Sequence, residues 1–303
     1  MLAELDRLGT ITAAAASLHL TAPGVSMQLA SLEREVGLQL TERSGRVLTL
    51  TPAGKLLARH GHDIVDMLSL VEMEVDALKD GSVGSYRVAA FPSAARTIVA
   101  DTWKGVVDDP GIGLTLRLLE LEPEDSLPAL SSGEVELAVT HSYSNLPRAY
   151  SPNLDSTRIA SEPVWLAVPS DDPGLADDSS AVLADYADHD WVAPHTGLSC
   201  YEMIQRACGT AGFTPTVVAE ATDFAVQLAL ISAGAGVALM PQLTIAQLPQ
   251  NVVLRPLAEP VFRHDFVVTR ASSRADAGLT RLRELLSASA ARLVPAAGHR
   301  VER

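Results

Sequence analysis

The sequence contains little of what stabilises small secreted domains or membrane proteins. Its 303 residues include two cysteines, Cys200 and Cys208, which are too few for a disulfide framework or a zinc site. No stretch reaches the roughly 18 consecutive apolar residues of a membrane span. The opening residues, MLAELDRLGT, lack the basic segment and apolar run of a signal peptide. We therefore expect a cytosolic protein without a membrane partner.

Catalytic signatures are also missing. The sequence has no G-x-S-x-G, no H-E-x-x-H and no phosphate-binding glycine loop. An enzyme would therefore lack any recognisable set of catalytic residues. We predict no catalytic residue, no cofactor and no metal.

The charge distribution matters more than its sum. A net charge of −14 counts against nucleic acid as a partner. Residues 1–60, however, contain six Lys/Arg against five Asp/Glu, so the acidic excess lies beyond them. The N-terminal segment therefore carries no field that would repel DNA.

The first fifty residues predict three short helices and a hairpin. The helices are expected at residues 1–9, 12–18 and 21–37. Thr21 caps the third helix, and Pro23 falls in its first turn, where a missing backbone N–H costs little. The next stretch, LTERSGRVLTLT, is typical of a small wing that turns at Ser44 and Gly45.

The second and third predicted helices, joined by a three-residue turn, have the arrangement of a helix-turn-helix motif. Small Ala15 lets the two helices approach, and Leu18, Leu20 and Val25 are expected to fill the space between them. The N-terminus of the third helix can then point outward into a major groove. The pair alone fits an ordinary helical hairpin about equally well, but the wing and the long helix that follow favour DNA binding.

A long helix is predicted from Thr51 to about residue 80. Its apolar positions are Leu57, Ile64, Leu68, Val71, Val75 and Leu78. This heptad seam needs a partner helix, most simply from a second copy of the chain, although Gly61 weakens its middle. The alternative is an amphipathic helix packed on its own domain. We expect residues 51–82 to link and to dimerise, with dimer and tetramer both open.

From Tyr86 onward, strand and helix patterns alternate, which predicts parallel sheets with helices on both faces. The main strand runs are YRVAAF, LTLRLLEL, VELAVTH, EPVWLAVP, WVAP, TVVAEA, GVALMP and HDFVVTR. Two α/β lobes with a cleft between them are expected. The first lobe covers about residues 83–160 and 264–295, the second about 161–263, and 296–303 form a flexible tail.

The string AAASLHLTAPGVSMQLASLEREVGLQLTERSGRVLTLTPAG resembles the winged helix-turn-helix of the LysR-type transcriptional regulators. The likeness includes the leucine–histidine turn, the Pro-x-Val-Ser step, the LEREVG helix end and the wing. The order of linker helix and α/β lobes extends it over nearly the whole chain. The resemblance implies a DNA-binding domain at residues 1–50 and a two-lobed, periplasmic-binding-protein-like (type 2) effector domain at residues 83–295.

By this resemblance, the partners are double-stranded promoter DNA, a small-molecule effector, with an anion among the candidates, and further copies of the chain as a homodimer or homotetramer. The positions that face DNA are Ala22, Pro23, Ser26 and Met27, with Arg46 in the minor groove. Thr21, Gln28 and Arg43 are implied to position the DNA backbone. Thr51 is expected to cap a helix rather than to contact DNA.

The chain departs from the family pattern at three positions, two of which are among those that face DNA. The family usually has Gln in place of Ala22, Arg or Lys in place of Met27, and Phe in place of Thr41. Ala22 and Met27 cannot make bidentate bonds to bases, so we predict more reliance on DNA shape read by Arg46. Thr41 is expected to loosen the wing, and the first helix is short at its start.

The effector site is expected in the cleft, at the ends of strands and the starts of helices. The predicted effector-binding residues are Ser93, Ala94, His141, Thr196, Gly197, Thr222, Asp223 and Met240. Three alternatives compete: Ser93 and Thr196 cap helices, His141 is a half-buried loop histidine, and Asp223 caps the next helix. Cys200 and Cys208 are more plausible as buried structural thiols than as a redox switch.

Two other functions compete with a DNA-binding regulator. The same two-lobed fold is compatible with a cytosolic solute-binding protein or an enzyme, and a dimeric scaffold would leave the cleft idle. The solute-binding protein and the enzyme both leave residues 1–80 unexplained.

Overall fold

The structure is a computed structural model that describes residues 1–44, 47–80, 84–172, 180–245 and 248–294. The chain divides into two units, Met1–Glu72 and Met73–Arg303. Within the described residues, we find no helix that is both long and apolar enough to cross a membrane. The boundaries expected at residues 50 and 82 stay predictions.

The first unit begins with three helices and a hairpin, as predicted. These are α1 (Leu2–Leu8), α2 (Ile11–Ser17), α3 (Ala22–Val36) and the antiparallel strands β1 (Thr41–Ser44) and β2 (Val47–Leu50). The Thr21 hydroxyl accepts a hydrogen bond from the Gly24 N–H at 3.3 Å and so caps α3. Gly37 ends α3 with a φ of 74°, a left-handed conformation that glycine adopts without strain.

Small and branched side chains fill the core between these helices. Ala14 and Val25 are fully buried and Ala15 nearly so, which lets α2 and α3 pack closely. Leu20 was expected in the same space, but this prediction is wrong, since its side chain is 43% exposed. Leu18 is only partly buried. These two leucines lie in the turn between α2 and α3 and not in the space between the two helices.

The partly buried carboxylate of Glu33 links α3 to the wing. Glu33 accepts hydrogen bonds from the backbone N–H groups of Leu40 and Thr41, each at 2.9 Å. The Thr41 hydroxyl donates a third bond to the same oxygen at 3.0 Å. Thr41 therefore gains at this position a hydrogen bond that the family's usual phenylalanine could not make.

The long helix α4 (Pro52–Asp80) follows the wing directly. The Thr51 hydroxyl accepts from the Gly54 N–H at 3.1 Å, which confirms its role as a cap. Ala58 is buried against the first unit, but three seam residues further on lie with most of their surface in solvent. These are Ile64, Leu68 and Val71. The seam positions Val75 and Leu78 lie outside the described side chains.

The second unit contains a sheet in which parallel and antiparallel strands meet. Its first lobe consists of β3 (Gly84–Ala90), β4 (Leu114–Glu120), β5 (Leu137–Tyr143), the first half of β6 (Leu154–Pro169) and β11 (Phe262–Arg270). Its helices are α5 (Pro92–Ala94), a π-helical segment (Ala95–Val99), α6 (Ala100–Asp108), α7 (Pro123–Ser131) and α10 (Ala277–Leu293). Strand β3 pairs in parallel with β4 and β5, as predicted.

The second lobe is built around the other half of β6. It contains β7 (Asp190–Ala193), α8 (Ser199–Thr210), β8 (Thr216–Glu220), α9 (Phe224–Ser232), β9 (Ala238–Pro241) and β10 (Val252–Pro256). Strands β9 and β10 pair with β6 in antiparallel fashion, while β7 and β8 pair in parallel.

The prediction of purely parallel sheets is therefore wrong for the strands that connect the lobes. Strand β6 runs antiparallel to β11, β9 and β10, and it begins at Leu154, before the predicted run EPVWLAVP. Exposed side chains alternate irregularly over its first half, which hides the strand pattern. Strand β10 was not predicted, because its five residues VVLRP include a charge and a proline.

Candidate functional site

Two surfaces carry the predicted functional residues, one in each unit. In the first unit, Pro23, Ser26, Met27 and Gln28 are all exposed on α3, and Met27 is 69% exposed. An exposed methionine has no favourable interaction with water, so its side chain is available to contact the surface of a partner. Ala22 is partly buried at the edge of the core, and Arg43 and Arg46 lie outside the described side chains.

The N-terminal half of α3 is therefore an exposed, capped helix start. Thr21 satisfies one backbone N–H, while the helix dipole leaves partial positive charge at this end. Such a helix end suits the phosphates and base edges of DNA.

In the second unit, a narrow cavity of about 20 Å³ lies between the two lobes. Four of the predicted effector residues line it: Ser93, His141, Thr222 and Asp223. The remaining lining is formed by Phe91, Pro92, Arg96, Glu122, Cys200, Phe224, Thr244 and Arg263. This space is about that of a single water molecule, so a larger ligand would need the lobes to move apart.

The other four predicted residues do not line this pocket. Ala94 and Met240 are fully buried in the hydrophobic cores of the first and second lobes. Thr196 is exposed, and Gly197, with a φ of 92°, forms the turn before α8. A position near the end of a strand was therefore not enough to predict whether a residue lines the pocket or lies in a hydrophobic core.

The capping alternatives have different outcomes. Asp223 does cap α9, because its carboxylate accepts from the Ala225 N–H at 2.8 Å. Ser93 does not cap α5, since Phe91 holds the cap position and the Ser93 hydroxyl instead accepts from Arg263 at 3.0 Å. Thr196 is not the cap of α8 either, because Leu198 holds that position.

A buried ion-pair network supports one wall of the pocket. Arg263 donates to the Glu162 carboxylate at 2.6 Å, and both side chains are almost fully buried. The guanidinium also lies over the Phe91 ring, 4.8 Å from its centroid. Burial by itself favours the neutral form, but the carboxylates of Glu162 and Asp265 raise the pKa of Arg263 above its ordinary value. Burial raises the pKa of Asp265 well above that of an ordinary aspartate.

His141 lies at the floor of the pocket. It is fully buried on β5, so the alternative of a half-buried loop histidine is wrong. Its ring makes edge contacts with Phe91 and Tyr143, at centroid distances of 4.6 and 5.2 Å. Burial lowers the pKa of His141, and the Glu122 carboxylate opposes that shift, so the imidazole is neutral at neutral pH.

Both cysteines are free and buried on α8. Burial raises the pKa of each thiol to about 12, which leaves little reactive thiolate. The Tyr143 hydroxyl donates to the Cys200 sulfur at 3.2 Å. This environment favours structural thiols over a redox switch.

Sequence reasoning missed Glu122, Cys200 and Arg263 as lining residues. The signal for Arg263 was present, because the alternation of β11 places Arg263 and Asp265 on its buried face. A charged residue on a buried strand face needs a partner, and its partner Glu162 is 101 residues away in the chain. Local patterns give no information about such a distant pair.

Comparison with known proteins adds independent evidence. Residues 1–55 match the family model described as the bacterial regulatory helix-turn-helix protein, lysR family, and residues 79–291 match the LysR substrate binding domain. The HTH-type transcriptional regulator AbaB of Streptomyces antibioticus is 31% identical over 292 residues, covering 93% of this chain and 94% of AbaB.

Solved structures resemble the chain over almost its full length. A cysteine-to-serine mutant of Corynebacterium glutamicum OxyR in its H2O2-bound form has a TM-score of 0.62 at 22% identity, covering 100% of this chain and 95% of that one. Full-length CbnR complexed with its target DNA has a TM-score of 0.56 at 23% identity, covering 95% and 97%. These likenesses confirm the predicted fold class, a winged helix-turn-helix followed by a two-lobed α/β effector domain.

Proposed function

We propose that this chain, which belongs to the LysR family of transcriptional regulators, presents α3 to promoter DNA and answers to a small molecule in the pocket of its second unit. Family membership confirms the resemblance drawn from the residues, and it makes the chain a DNA-binding transcriptional regulator with an effector-binding domain. The contacts and the mechanism that follow are our proposals.

The observation that carries the DNA-binding proposal is the exposed start of α3. Pro23, Ser26 and Met27 face solvent while Val25 and Leu29 hold the opposite face in the core. With Ala22 and Met27 unable to make bidentate base contacts, we propose that Ser26 supplies the polar contact and Met27 meets a thymine methyl. Arg46 is proposed to read minor-groove shape, with Thr21, Gln28 and Arg43 on the DNA backbone.

We propose that α4 pairs with α4 of a second copy. Ile64, Leu68 and Val71 are 61%, 60% and 51% exposed, which is an unfavourable arrangement for large apolar side chains in water. Pairing two copies would place two α3 helices in successive major grooves, about 34 Å apart. Two dimers on neighbouring sites would bend the DNA between them, as the family arrangement implies.

The pocket is proposed as the effector site because it lies between lobes that share strand β6. An effector that prefers one arrangement of the lobes shifts the protein toward that arrangement, and only to the extent of that preference. Ser93, His141, Thr222 and Asp223 are the proposed contacts.

We propose no catalytic role, in line with a family of regulators. A regulator of this kind acts where the chromosome is, so its proposed site of action is the cytoplasm.

A gel-shift titration tests the DNA contact. The probe is the DNA upstream of the protein's own gene, titrated over a series of salt concentrations, because phosphate contacts make affinity fall steeply as salt rises. Ser26→Asp introduces a charge that phosphates repel and is expected to weaken binding at least tenfold. Ser31→Asp is the matched control, on the same helix about 140° around its axis.

Equal losses in the two variants would contradict the proposed orientation of α3. Replacing Arg46 with Ala and footprinting the complex tests the wing, and an unchanged footprint and affinity would reject its minor-groove role.

Size-exclusion chromatography with light scattering tests the seam. Leu68→Glu is expected to shift the protein toward monomer, because it buries a charge at the α4 pairing face. The control is Val182→Glu, since Val182 is a similarly exposed apolar residue at 49% but lies in the second unit. A dimer that survives Leu68→Glu unchanged would reject pairing through this face.

A thermal-shift screen of small molecules tests the pocket, since a ligand stabilises the folded state that it binds. Thr222→Trp fills the pocket and is expected to abolish the shift. Thr196→Trp is the control, because Thr196 lies outside the lining. A shift retained in Thr222→Trp and lost in Thr196→Trp would move the site to the turn before α8.

A further inference from the structure

The floor of the pocket holds three side chains of metal-binding chemistry. Among the described residues, Glu122, His141 and Cys200 each offer a ligand atom, and these atoms all lie within 4.8 Å of one another. They come from three separate places: the residue before α7, strand β5 and the first turn of α8. The fold, not the local sequence, assembles them.

The gaps among the three atoms are too wide for hydrogen bonds of normal length. His141 Nε2 lies 3.5 Å from a Glu122 oxygen and 4.0 Å from the Cys200 sulfur. The other ring nitrogen, Nδ1, is buried, and no hydrogen-bond partner is found for it among the described residues. Nε2 is the ring atom that faces Glu122 and Cys200, and an ion between the three groups would replace these two long contacts with bonds of normal length.

We propose that Glu122, His141 and Cys200 form a Zn²⁺ site at the floor of the pocket. Zinc bonds of about 2.0–2.3 Å in a tetrahedral arrangement separate neighbouring ligand atoms by roughly 3.4–3.6 Å. The observed distances of 3.5 and 4.0 Å, and the third separation of at most 4.8 Å, would contract toward these values when the ion binds. A thiolate, an imidazole and a carboxylate together suit zinc better than magnesium or calcium.

Three protein ligands leave one coordination position open, and that position faces the pocket that all three residues line. Binding requires Cys200 to give up its thiol proton to solvent, while His141 binds as the neutral imidazole and Glu122 as the carboxylate. The site therefore exchanges one Zn²⁺ for one released proton. Because binding releases a proton, the affinity of the site for Zn²⁺ falls as the pH falls.

The charges around the cluster permit a cation. Arg263 and Arg96 are the positive groups of the lining. Glu162 neutralises Arg263 through a hydrogen bond of 2.6 Å, and Arg96 donates to the Thr244 carbonyl at 2.8 Å. Asp223, which also lines the pocket, adds negative charge. Counting cysteines alone argued against zinc, but the fold supplies the nitrogen and oxygen ligands that the cysteine count ignores.

Cobalt titration of the full-length, chelator-treated protein tests the site. Co²⁺ replaces Zn²⁺ in such sites, and its thiolate charge-transfer and tetrahedral ligand-field absorption report the ligands directly. We expect one Co²⁺ per chain with a thiolate band, displaced by one equivalent of Zn²⁺. Cys200→Ala is expected to abolish the band. Cys208→Ala is the matched control, because it removes the other buried thiol of α8 and should keep it.

Glu122→Gln is the second variant, since Glu122 lies at the pocket edge and its replacement leaves the core intact. Loss of this ligand is expected to weaken binding by more than the roughly 10–100-fold that loss of an outer partner costs. Absence of a thiolate band in the wild-type protein, or a band that survives in both Cys200→Ala and Glu122→Gln, would overturn the proposal. The existence of the site does not depend on DNA binding, but its regulatory meaning rests on the function proposed above. A positive titration with a negative gel shift would therefore separate the two.

Discussion

The buried pair of Glu162 and Arg263 allows a quantitative prediction. Replacing Glu162 with Gln keeps the shape of the side chain but removes the charge that faces Arg263 at 2.6 Å. The Glu162 carboxylate also accepts from the Leu243 N–H, and the amide carbonyl of Gln can serve only one of these donors well. The variant therefore leaves the buried guanidinium with Asp265 as its remaining acidic partner, 3.4 Å away, and Asp265 must ionise in a buried site to compensate it.

The two side chains are 1% and 0% exposed, so solvent cannot take over the role of the lost carboxylate. Removing one partner of a buried pair costs about 3–5 kcal/mol in free energy of unfolding. For a unit of this size, that corresponds to a fall in melting temperature of roughly 6–20 °C.

Tryptophan fluorescence during thermal unfolding measures this fall. Trp103, Trp165 and Trp191, which are all three tryptophans of the chain, lie in the second unit, so the signal reports that unit specifically. Asp155→Asn is the matched control. It breaks another Arg–carboxylate pair, with Arg274, whose side chain is 72% exposed, so solvent screens the pair and its loss should cost much less. If Glu162→Gln costs no more than Asp155→Asn, the assignment of a buried, charge-compensated pair is refuted.

Two further predictions follow from the buried titratable groups. Because the pKa of Asp265 is raised in the folded protein, its neutral form stabilises the fold at low pH, and that contribution is lost as the pH rises through the raised pKa. Asp265→Asn should therefore gain stability relative to the wild type as the pH rises above the ordinary aspartate pKa of 3.8, as measured in denaturant titrations, and a pH-independent difference would contradict this. A thiol pKa of about 12 for Cys200 and Cys208 leaves roughly 1000-fold less thiolate at neutral pH than the ordinary value of 9.0. Both should resist iodoacetamide in the native metal-free protein and react after unfolding, whereas fast native labelling of Cys200 would revive the redox alternative.

The first unit could be predicted from the sequence almost element by element, because its signals are local. Thr21 and Gly37 bound α3 through contacts with residues of the same helix, and Thr51 caps α4 in the same way. The prediction for Leu20 was wrong because its burial depends on the direction in which the turn between α2 and α3 points the side chain. The spacing of apolar residues in the sequence gives no information about that direction.

The pocket could be predicted only in part. Ser93 and Asp223 were found because strand ends and helix starts mark a cleft. Met240 also lies at a strand end. Its strand β9, however, pairs with β6 in the interior of the lobe, and the Met240 side chain packs in the hydrophobic core. Arg263 and Glu122 were missed, since each acts through groups distant in sequence.

Strand β6 has a mechanical consequence for any response to a ligand. Its first half pairs with β11 and its second half with β9 and β10, so one unbroken backbone forms a spine through both lobes. A spine of this kind resists stretching and gives way mainly by flexing, and the register shift beside Asp265 and Phe266 is a natural point for it to do so. We expect an occupant of the pocket to tilt one lobe against the other by bending this strand rather than by separating it from its partners.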